Sequence, residues 1–156
     1  MEAKLDQKDR QIIRALQRDG RMTNQDLSEL VNLSPTPCLR RLRNLESGGA
    51  ITGYSAKVDA KAYGLPITVF VRIKLEQHDA KDVERFESRV RETDEILECH
   101  VLTGSWDYQL RVLVANLEAY EAFVRRRLHT IGGIASIDTT FAYGTIKQTD
   151  VFPEVI

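Results

Sequence analysis

The sequence lacks the cysteines of a disulfide-stabilised protein, since Cys38 and Cys99 are the only two among its 156 residues. Each lies in an apolar pattern, so we interpret both as reduced core thiols, with a redox role for Cys38 as the alternative. No apolar run approaches the ~20 residues of a membrane-spanning helix, and no signal peptide opens the chain. We therefore expect a cytoplasmic protein.

The residue combinations of common catalytic and metal sites are also missing. The three histidines are isolated, and Cys99 and His100, as neighbours on a strand, point to opposite faces and cannot readily share a metal. The sequence shows no nucleophile with its base, no phosphate-binding glycine loop and no zinc quartet. We expect neither an enzyme nor a bound cofactor.

An excess of basic residues is absent too, because the net charge is only −1. The charge is nevertheless uneven: residues 1–50 hold nine Lys and Arg against seven Asp and Glu, and the remainder holds thirteen against sixteen. DNA binding requires a basic surface rather than a basic protein. We expect DNA affinity to depend on several copies of the chain and to fall steeply with salt.

Residues 34–46 predict a short helix with one apolar and one polar side. Ser34 suits the N-cap position and Pro35 the first helical position. At 100° per residue, the inner side carries Leu39, Leu42 and Leu45. The outer side carries Thr36, Arg40, Arg43 and Asn44, with Arg41 on the flank. Such groups can read base edges and hold phosphates, which predicts a recognition helix.

Two helices precede this segment. The first spans roughly Asp6 to Arg18, and the second is capped by Thr23 and ends near Val31, where Asn32 suits a left-handed conformation. Three such helices with a tight turn between the last two are typical of a helix-turn-helix domain. Residues 51–54 are predicted to form a strand, which favours the winged variant. A small helical bundle with a solvated basic face is the alternative.

The second half has the order of a ferredoxin-like βαββαβ fold. Strands are predicted at 67–75, 96–101, 108–114 and 134–146, with helices starting at Asp79 and about Glu118. One sheet face is left without a helix and carries Phe70, so we expect a homodimer through this face. The predicted organisation is a DNA-binding domain at 1–54, a packed linker or strand at 55–66 and an α+β domain at 67–156.

Over essentially its whole length the chain resembles the leucine-responsive and asparagine-responsive (feast/famine) transcription regulators, and most of all the leucine-responsive ones. The motifs that carry the resemblance are Ser34-Pro35-Thr36-Pro37-Cys38 and the later turn from Thr103-Gly104 to Asp107-Tyr108. Either motif alone would be weak, but together, in this order and spacing, they are specific. The resemblance implies a winged helix-turn-helix, a ferredoxin-like amino-acid-binding domain, and dimers that assemble into tetramers or octamers.

The resemblance also implies where a small amino-acid effector binds: at the meeting of two dimers, near this turn. The residues implied are Thr103, Gly104, Asp107, Tyr108 and Thr139. Gly104 would let backbone N–H groups approach the effector carboxylate, and Asp107 would pair with its ammonium group. Ile137, where relatives often have threonine, favours an apolar or branched-chain effector. A plain hairpin turn is the alternative interpretation of Gly104 and Asp107.

We therefore expect a nucleoid-associated regulator of amino-acid metabolism genes that binds pseudo-palindromic double-stranded DNA. The expected DNA contacts come from Ser34, Thr36, Pro37, Arg40, Arg41, Arg43 and Asn44, with Arg41 and Arg43 mainly on phosphates. The consecutive Arg125, Arg126 and Arg127 are interpreted as a solvated helix face. The main alternative is a ligand-independent architectural DNA-packaging protein. A metabolic enzyme with a regulatory domain is disfavoured because no catalytic constellation is present.

Overall fold

The computed structural model describes residues 5–155, which are divided between two compact units. The first unit extends to Lys57 and also includes the tail that begins at Lys147, and the second unit comprises Val58–Ile146. The sequence had predicted a C-terminal domain running from 67 to the end of the chain. In the structure the tail contacts the first unit, because its backbone is hydrogen-bonded to side chains of the first helix.

The first unit contains the three expected helices: α1 (Gln7–Arg18), α2 (Asn24–Leu30) and α3 (Pro35–Ser47). Asp6 caps α1 in a reciprocal capping box with Asp9, and the Thr23 hydroxyl accepts from the Asp26 N–H at the start of α2. Asn32 has a φ of +52°, which confirms the left-handed residue between α2 and α3. The helix-turn-helix prediction is confirmed.

The core of this unit is formed where the apolar sides of the three helices meet. Its buried members are Ile12, Ala15, Leu16, Leu27, Val31, Cys38 and Leu45. Burial raises the pKa of the Cys38 thiol, which keeps the thiol protonated at neutral pH. Cys38 is therefore a buried core thiol, as the sequence predicts.

The segment after α3 differs from its prediction, because residues 51–54 form no strand. Tyr54 is instead held by its side chain, whose hydroxyl donates to the Glu46 carboxylate at 2.7 Å while the ring lies beside Gly20. Burial and the Glu46 carboxylate raise the pKa of Tyr54 to about 12. A strand requires a paired neighbour, and within residues 5–57 the structure provides none.

The following linker is also different from the packed segment or strand predicted at 55–66. It contains a single helical turn, α4 (Ala60–Tyr63), which is capped by the Asp59 carboxylate and ends at Gly64 with φ +97°. Val58 and Tyr63 are exposed. These apolar side chains therefore do not anchor the segment within the described chain.

The second unit has the predicted βαββαβ order: β1 (Ile67–Leu75), α5 (Ala80–Arg91), β2 (Ile96–Val101), β3 (Tyr108–Val114), α6 (Leu117–Phe123) and β4 (Ile134–Phe141). A π-helical turn at Val124–Leu128 and the short α7 (His129–Ile131) continue α6. The sheet is antiparallel with the order β2-β3-β1-β4. The ferredoxin-like prediction is confirmed, although β4 stops at Phe141 rather than Ile146 because β1, its only partner, has nearly reached its first residue there.

Within residues 5–155, helices cover one face of this sheet and leave the other uncovered. On that face, alternate residues of β1 and β3 pack against Phe86, Tyr120, Phe123 and Leu128. The other face carries Thr68, Phe70, Arg72 and Lys74 of β1. Two cross-strand ion pairs join Arg72 to Asp138 and Arg111 to Glu98. Among the described residues, no helix combines the length and apolar character needed to cross a bilayer.

Candidate DNA-binding and effector sites

The outward side of α3 presents the predicted polar stripe of Thr36, Arg40, Arg43 and Asn44, all four of which are exposed. Their i, i+4, i+7 and i+8 spacing places them along one side of the helix. Within residues 5–155, neither Arg40 nor Arg43 forms an ion pair with a carboxylate. Two guanidinium groups, an amide and a hydroxyl are thus available for an external partner.

The start of α3 is fixed by α2 rather than by its own cap. Ser34 occupies the N-cap position as predicted, but its hydroxyl makes no capping hydrogen bond and the residue is exposed. The Asn24 side chain donates to the Pro35 carbonyl at 3.0 Å and so ties the start of α2 to α3. Pro35 and Pro37 lack N–H groups, which leaves Thr36 as the one amide of the first three helical positions. Pro37 is half-buried, so it offers less surface than the predicted contact implied.

Arg41, whose phosphate contact stays a prediction, is engaged inside the unit. Its Nη1 group donates to Asp6 at 2.7 Å and to Asp9 at 2.8 Å, which links α3 to the start of α1. The Asp9 backbone N–H and the Arg41 guanidinium lower the pKa of Asp6, and the two carboxylates raise the pKa of Arg41. Because its charge is balanced inside the unit, Arg41 acts as a structural link between helices.

This link predicts a pH-dependent difference in stability between the wild-type protein and Arg41→Ala. Since the pKa of Asp6 is lower in the folded chain than its ordinary value of 3.8, the stabilisation is complete above pH 3.8. It is lost as the pH falls through the lowered folded-state pKa. Thermal unfolding at pH 7 should therefore give a lower Tm for Arg41→Ala, and the difference should shrink towards pH 3. Arg43→Ala, on the exposed side of α3, serves as control, and equal Tm values for Arg41→Ala and wild type at pH 7 would disprove the link.

The turn between β2 and β3 exposes part of its backbone. The Leu102 N–H donates to the Asp107 carbonyl at 2.8 Å, and the Asp107 N–H donates to the Ile73 carbonyl at 2.9 Å. Between these anchors Thr103 and Gly104 are exposed, and Gly104 has a φ of +112° with no heavy atom near the position of a β-carbon. The space that a β-carbon would take at Gly104 is therefore open to a ligand.

Asp107 is held in place by the end of β1 and by a histidine that sequence reasoning had treated as isolated. Its Oδ2 accepts from the Leu75 N–H at 2.7 Å, and its Oδ1 lies 2.9 Å from His78 Nε2. Although burial raises the pKa of Asp107, these two contacts outweigh it and hold the pKa below its ordinary value. The result is a fixed, ionised carboxylate whose side chain remains 21% exposed.

Trp106, in the same turn, is coupled to the uncovered sheet face. The Arg72 guanidinium carbon lies 5.2 Å from the centre of the indole ring, and Arg72 also donates to Asp138 on β4 at 2.6 Å. The alternation of β1 predicts Arg72 on this face, but nothing in the sequence indicates its contact with the turn. A ligand that displaces Trp106 would consequently perturb a contact that extends to β4.

Tyr108, whose effector contact stays a prediction, has a buried side chain with 4% exposure. Its ring centre lies 4.6 Å from that of Phe86, and its hydroxyl donates to Glu87 at 3.1 Å. Burial and Glu87 raise its pKa to about 12. In the described chain Tyr108 is a core residue that anchors the end of the turn.

Thr139 belongs to a second region of the same unit. It is exposed on β4 opposite Val71, and its hydroxyl lies 2.5 Å from that of Tyr120. Both residues line a groove of about 580 Å³ whose other walls are Glu121, Val124, Arg125, His129 and Ile137. Since β1 lies between β3 and β4, one chain does not bring Thr139 and Asp107 together.

Comparisons with known proteins match both units. Residues 5–52 fit the family model described as a winged helix-turn-helix DNA-binding domain, and residues 68–152 fit the Lrp/AsnC ligand binding domain. The Bkd operon transcriptional regulator of Pseudomonas aeruginosa is 41% identical over 97% of this chain and 99% of its own length. The leucine-responsive regulatory protein of Escherichia coli is 38% identical over 94% of this chain and 89% of its own.

The fold also matches solved structures along nearly its full length. A transcriptional regulator from Neisseria meningitidis, crystallised as a complex with L-Met, superposes with a TM-score of 0.91. It is 36% identical in sequence, and the match covers 96% of each chain. An AsnC family regulator from Agrobacterium tumefaciens gives the same TM-score with 37% identity, over 96% of this chain and 97% of its own.

Proposed function

Since the chain belongs to the Lrp/AsnC family of transcription regulators, with a DNA-binding and an amino-acid-binding domain, we propose that it controls amino-acid metabolism genes in response to a small amino acid. The observation that carries this proposal is the exposed α3 stripe, in which Arg40 and Arg43 have no internal counter-charge among the described residues. Such a surface suits an anionic partner such as the DNA backbone. The protein would act in the cytoplasm, in association with the nucleoid.

The proposed DNA partner is a pseudo-palindromic operator read by a homodimer. A single recognition helix covers only one half-site, and two-fold symmetry places two such helices about 34–36 Å apart, or at a multiple of that distance. The uncovered sheet face, which includes Phe70, is the proposed dimer surface. Dimers would associate further into tetramers or octamers.

The proposed effector site lies between protomers of neighbouring dimers. Each protomer supplies two exposed but separate halves: the turn with Gly104 and Asp107, and the groove with Thr139. The turn would bind the α-carboxylate through backbone N–H groups near Gly104 and the α-ammonium through Asp107. A groove from another protomer would then receive the effector side chain.

The groove has both polar and apolar walls, and its apolar part suits an apolar effector side chain. Val124 and Ile137 contribute hydrocarbon surface, while the Thr139 hydroxyl is already engaged with Tyr120. The names of two similar proteins agree with this chemistry, since one is called leucine-responsive and the other was crystallised with L-Met. We propose leucine, methionine and similar side chains as the effector class.

Titration with single amino acids tests this function through Trp106, the only tryptophan in the sequence. A bound effector should disturb the contact of Trp106 with Arg72 and so produce a saturable change in fluorescence, with L-leucine or L-methionine among the active ligands. A thermal-shift assay with the same amino acids detects binding that leaves the fluorescence of Trp106 unchanged. No response in either measurement for any amino acid would favour a ligand-independent architectural DNA-packaging protein.

A further inference from the structure

The tail of the chain is bound to the DNA-binding unit through its backbone. Gln17 on α1 makes both hydrogen bonds that a neighbouring strand would make: its Nε2 donates to the Asp150 carbonyl at 2.6 Å, and its Oε1 accepts from the Phe152 N–H at 3.0 Å. These two contacts fix the peptide on either side of Val151. The side-chain amide of Gln17 thus takes the place of a neighbouring strand as the hydrogen-bonding partner of the tail.

Arg14, one helical turn earlier, continues this recognition. Its Nη1 donates to the Phe152 carbonyl at 2.8 Å, and its Nη2 lies 3.5 Å from the Glu154 carboxylate. The Phe152 ring is not the anchor, because it remains 65% exposed. Recognition therefore depends on the tail backbone and one acidic side chain rather than on an apolar plug.

Docking of the tail is separate from formation of the unit's core. The buried core residues all lie between Ile12 and Leu45, and the tail contributes none of them. Between the tail and α1 there is a groove of about 480 Å³. The tail can consequently be released without opening the core on which the recognition helix packs.

The same helix that holds the tail also holds the recognition helix. At its start, Asp6 and Asp9 bind Arg41 of α3, and further along Gln17 binds the tail. The tail follows β4, which carries Thr139 of the effector groove, after only five intervening residues, 142–146. The chain therefore joins the two units twice, once through the linker after Lys57 and once through this tail.

We propose that the Arg14–Gln17 side of α1 is a docking site for residues 149–154 of this chain, and that the docked tail couples amino-acid binding to DNA binding. The second half of this inference rests on the proposed function. Two connections restrict the movement of the DNA-binding unit more than a single connection would. They therefore raise the effective concentration of one arrangement relative to the others. A change at β4 can then reach α1, and through Arg41 the recognition helix, along continuous chain and ion pairs.

Gln17→Ala in the full-length protein tests both halves, with Gln11→Ala as the matched control. Gln11 is exposed on the same helix, and in residues 5–155 its side chain makes no hydrogen bond to the tail. In Gln17→Ala the Phe152 amide should exchange with deuterium about tenfold faster, as expected when two hydrogen bonds are removed. Gln11→Ala should exchange at the wild-type rate.

The coupling is measured in the same variants with L-leucine and L-methionine as probes. Gln17→Ala should bind the amino acid with wild-type affinity, and it should bind DNA with wild-type affinity when no amino acid is present. The change in DNA affinity that the amino acid causes should fall to less than about half of the change in the wild-type protein. A chain ending at Gln148 should behave in the same way. If Gln17→Ala does not fold, this truncated variant shows whether the tail couples amino-acid binding to DNA binding.

Three results would overturn parts of the proposal in distinguishable ways. An unprotected Phe152 amide in the wild-type protein would reject docking itself. A full amino-acid response in Gln17→Ala, despite a fast-exchanging tail, would reject coupling. If no amino acid changes DNA binding by the wild-type protein, the proposed function and the coupling both fail, while hydrogen exchange still decides whether the tail docks.

Discussion

Replacing Arg40 by alanine is expected to weaken specific DNA binding by about 1–3 kcal/mol and to relax the base preference at one position of each half-site. Arg40 lies in the middle of the exposed stripe of α3, and within residues 5–155 its guanidinium forms no internal ion pair. Its removal should not change folding, because the core of the unit is built from the opposite side of the helix. The measurement is a competition assay with operator DNA and single-base variants at fixed salt.

Arg126→Ala is the matched control for this experiment. Arg126 is also an exposed arginine, but it lies on the π-helical turn of the other unit. Its replacement should leave both affinity and base preference within about twofold of wild type. If Arg40→Ala binds every DNA variant as the wild-type protein does, α3 does not read bases through this residue.

Replacing Asp107 by asparagine is expected to weaken effector binding by about 1.5–3 kcal/mol, the usual contribution of a hydrogen bond to a charged group. Asparagine keeps an acceptor oxygen for the Leu75 N–H but has no negative charge for an α-ammonium group. The turn should therefore keep its geometry while losing the ion pair. Calorimetric titration with L-leucine and L-methionine gives the affinity directly.

Asp94→Asn provides the control for the loss of one negative charge. Asp94 is an exposed carboxylate of the same unit, near the start of β2 and outside the turn. Its variant should bind the effector like the wild-type protein, and both variants should keep the wild-type DNA affinity without effector. Undiminished effector binding by Asp107→Asn would show that the turn does not recognise the ammonium group.

Local signals explain most of what the sequence predicted correctly. Capping side chains at Asp6, Thr23 and Asp79 define helix starts, and period-two alternation defines β1 and β3. These features depend on residues within one turn or one strand of each other. The order of elements then leaves few alternatives to the ferredoxin-like fold.

The features that were missed depend on partners distant in sequence. Residues 51–54 include β-branched and aromatic side chains that are common in strands, but without a strand to pair with they remain irregular. The ion pairs of Arg41 could not be predicted because its carboxylate partners are more than 30 positions earlier in the chain. The contact of the tail with α1 could not be predicted for the same reason, since Gln17 and Phe152 are 135 positions apart.

The candidate effector site contains features that a local motif predicts and features that depend on residues distant in sequence. Gly104 and Asp107 were found from their motif, and the structure gives them an open backbone and a fixed carboxylate. Tyr108 belongs to the same motif but serves the core, which only its burial reveals. The relation between Asp107 and Thr139 stays a prediction about two protomers, because one chain keeps them on different strands with β1 between them.

The central claim is that one chain both reads DNA through α3 and adjusts that reading to an amino acid. The most direct measurement is the affinity for operator DNA, selected from random sequences, with and without each of the common amino acids at constant salt. We predict a saturable change in affinity of about 5- to 150-fold, in either direction, for leucine, methionine or a similar apolar amino acid. An affinity that stays the same for all amino acids, with a folded protein throughout, would contradict the account.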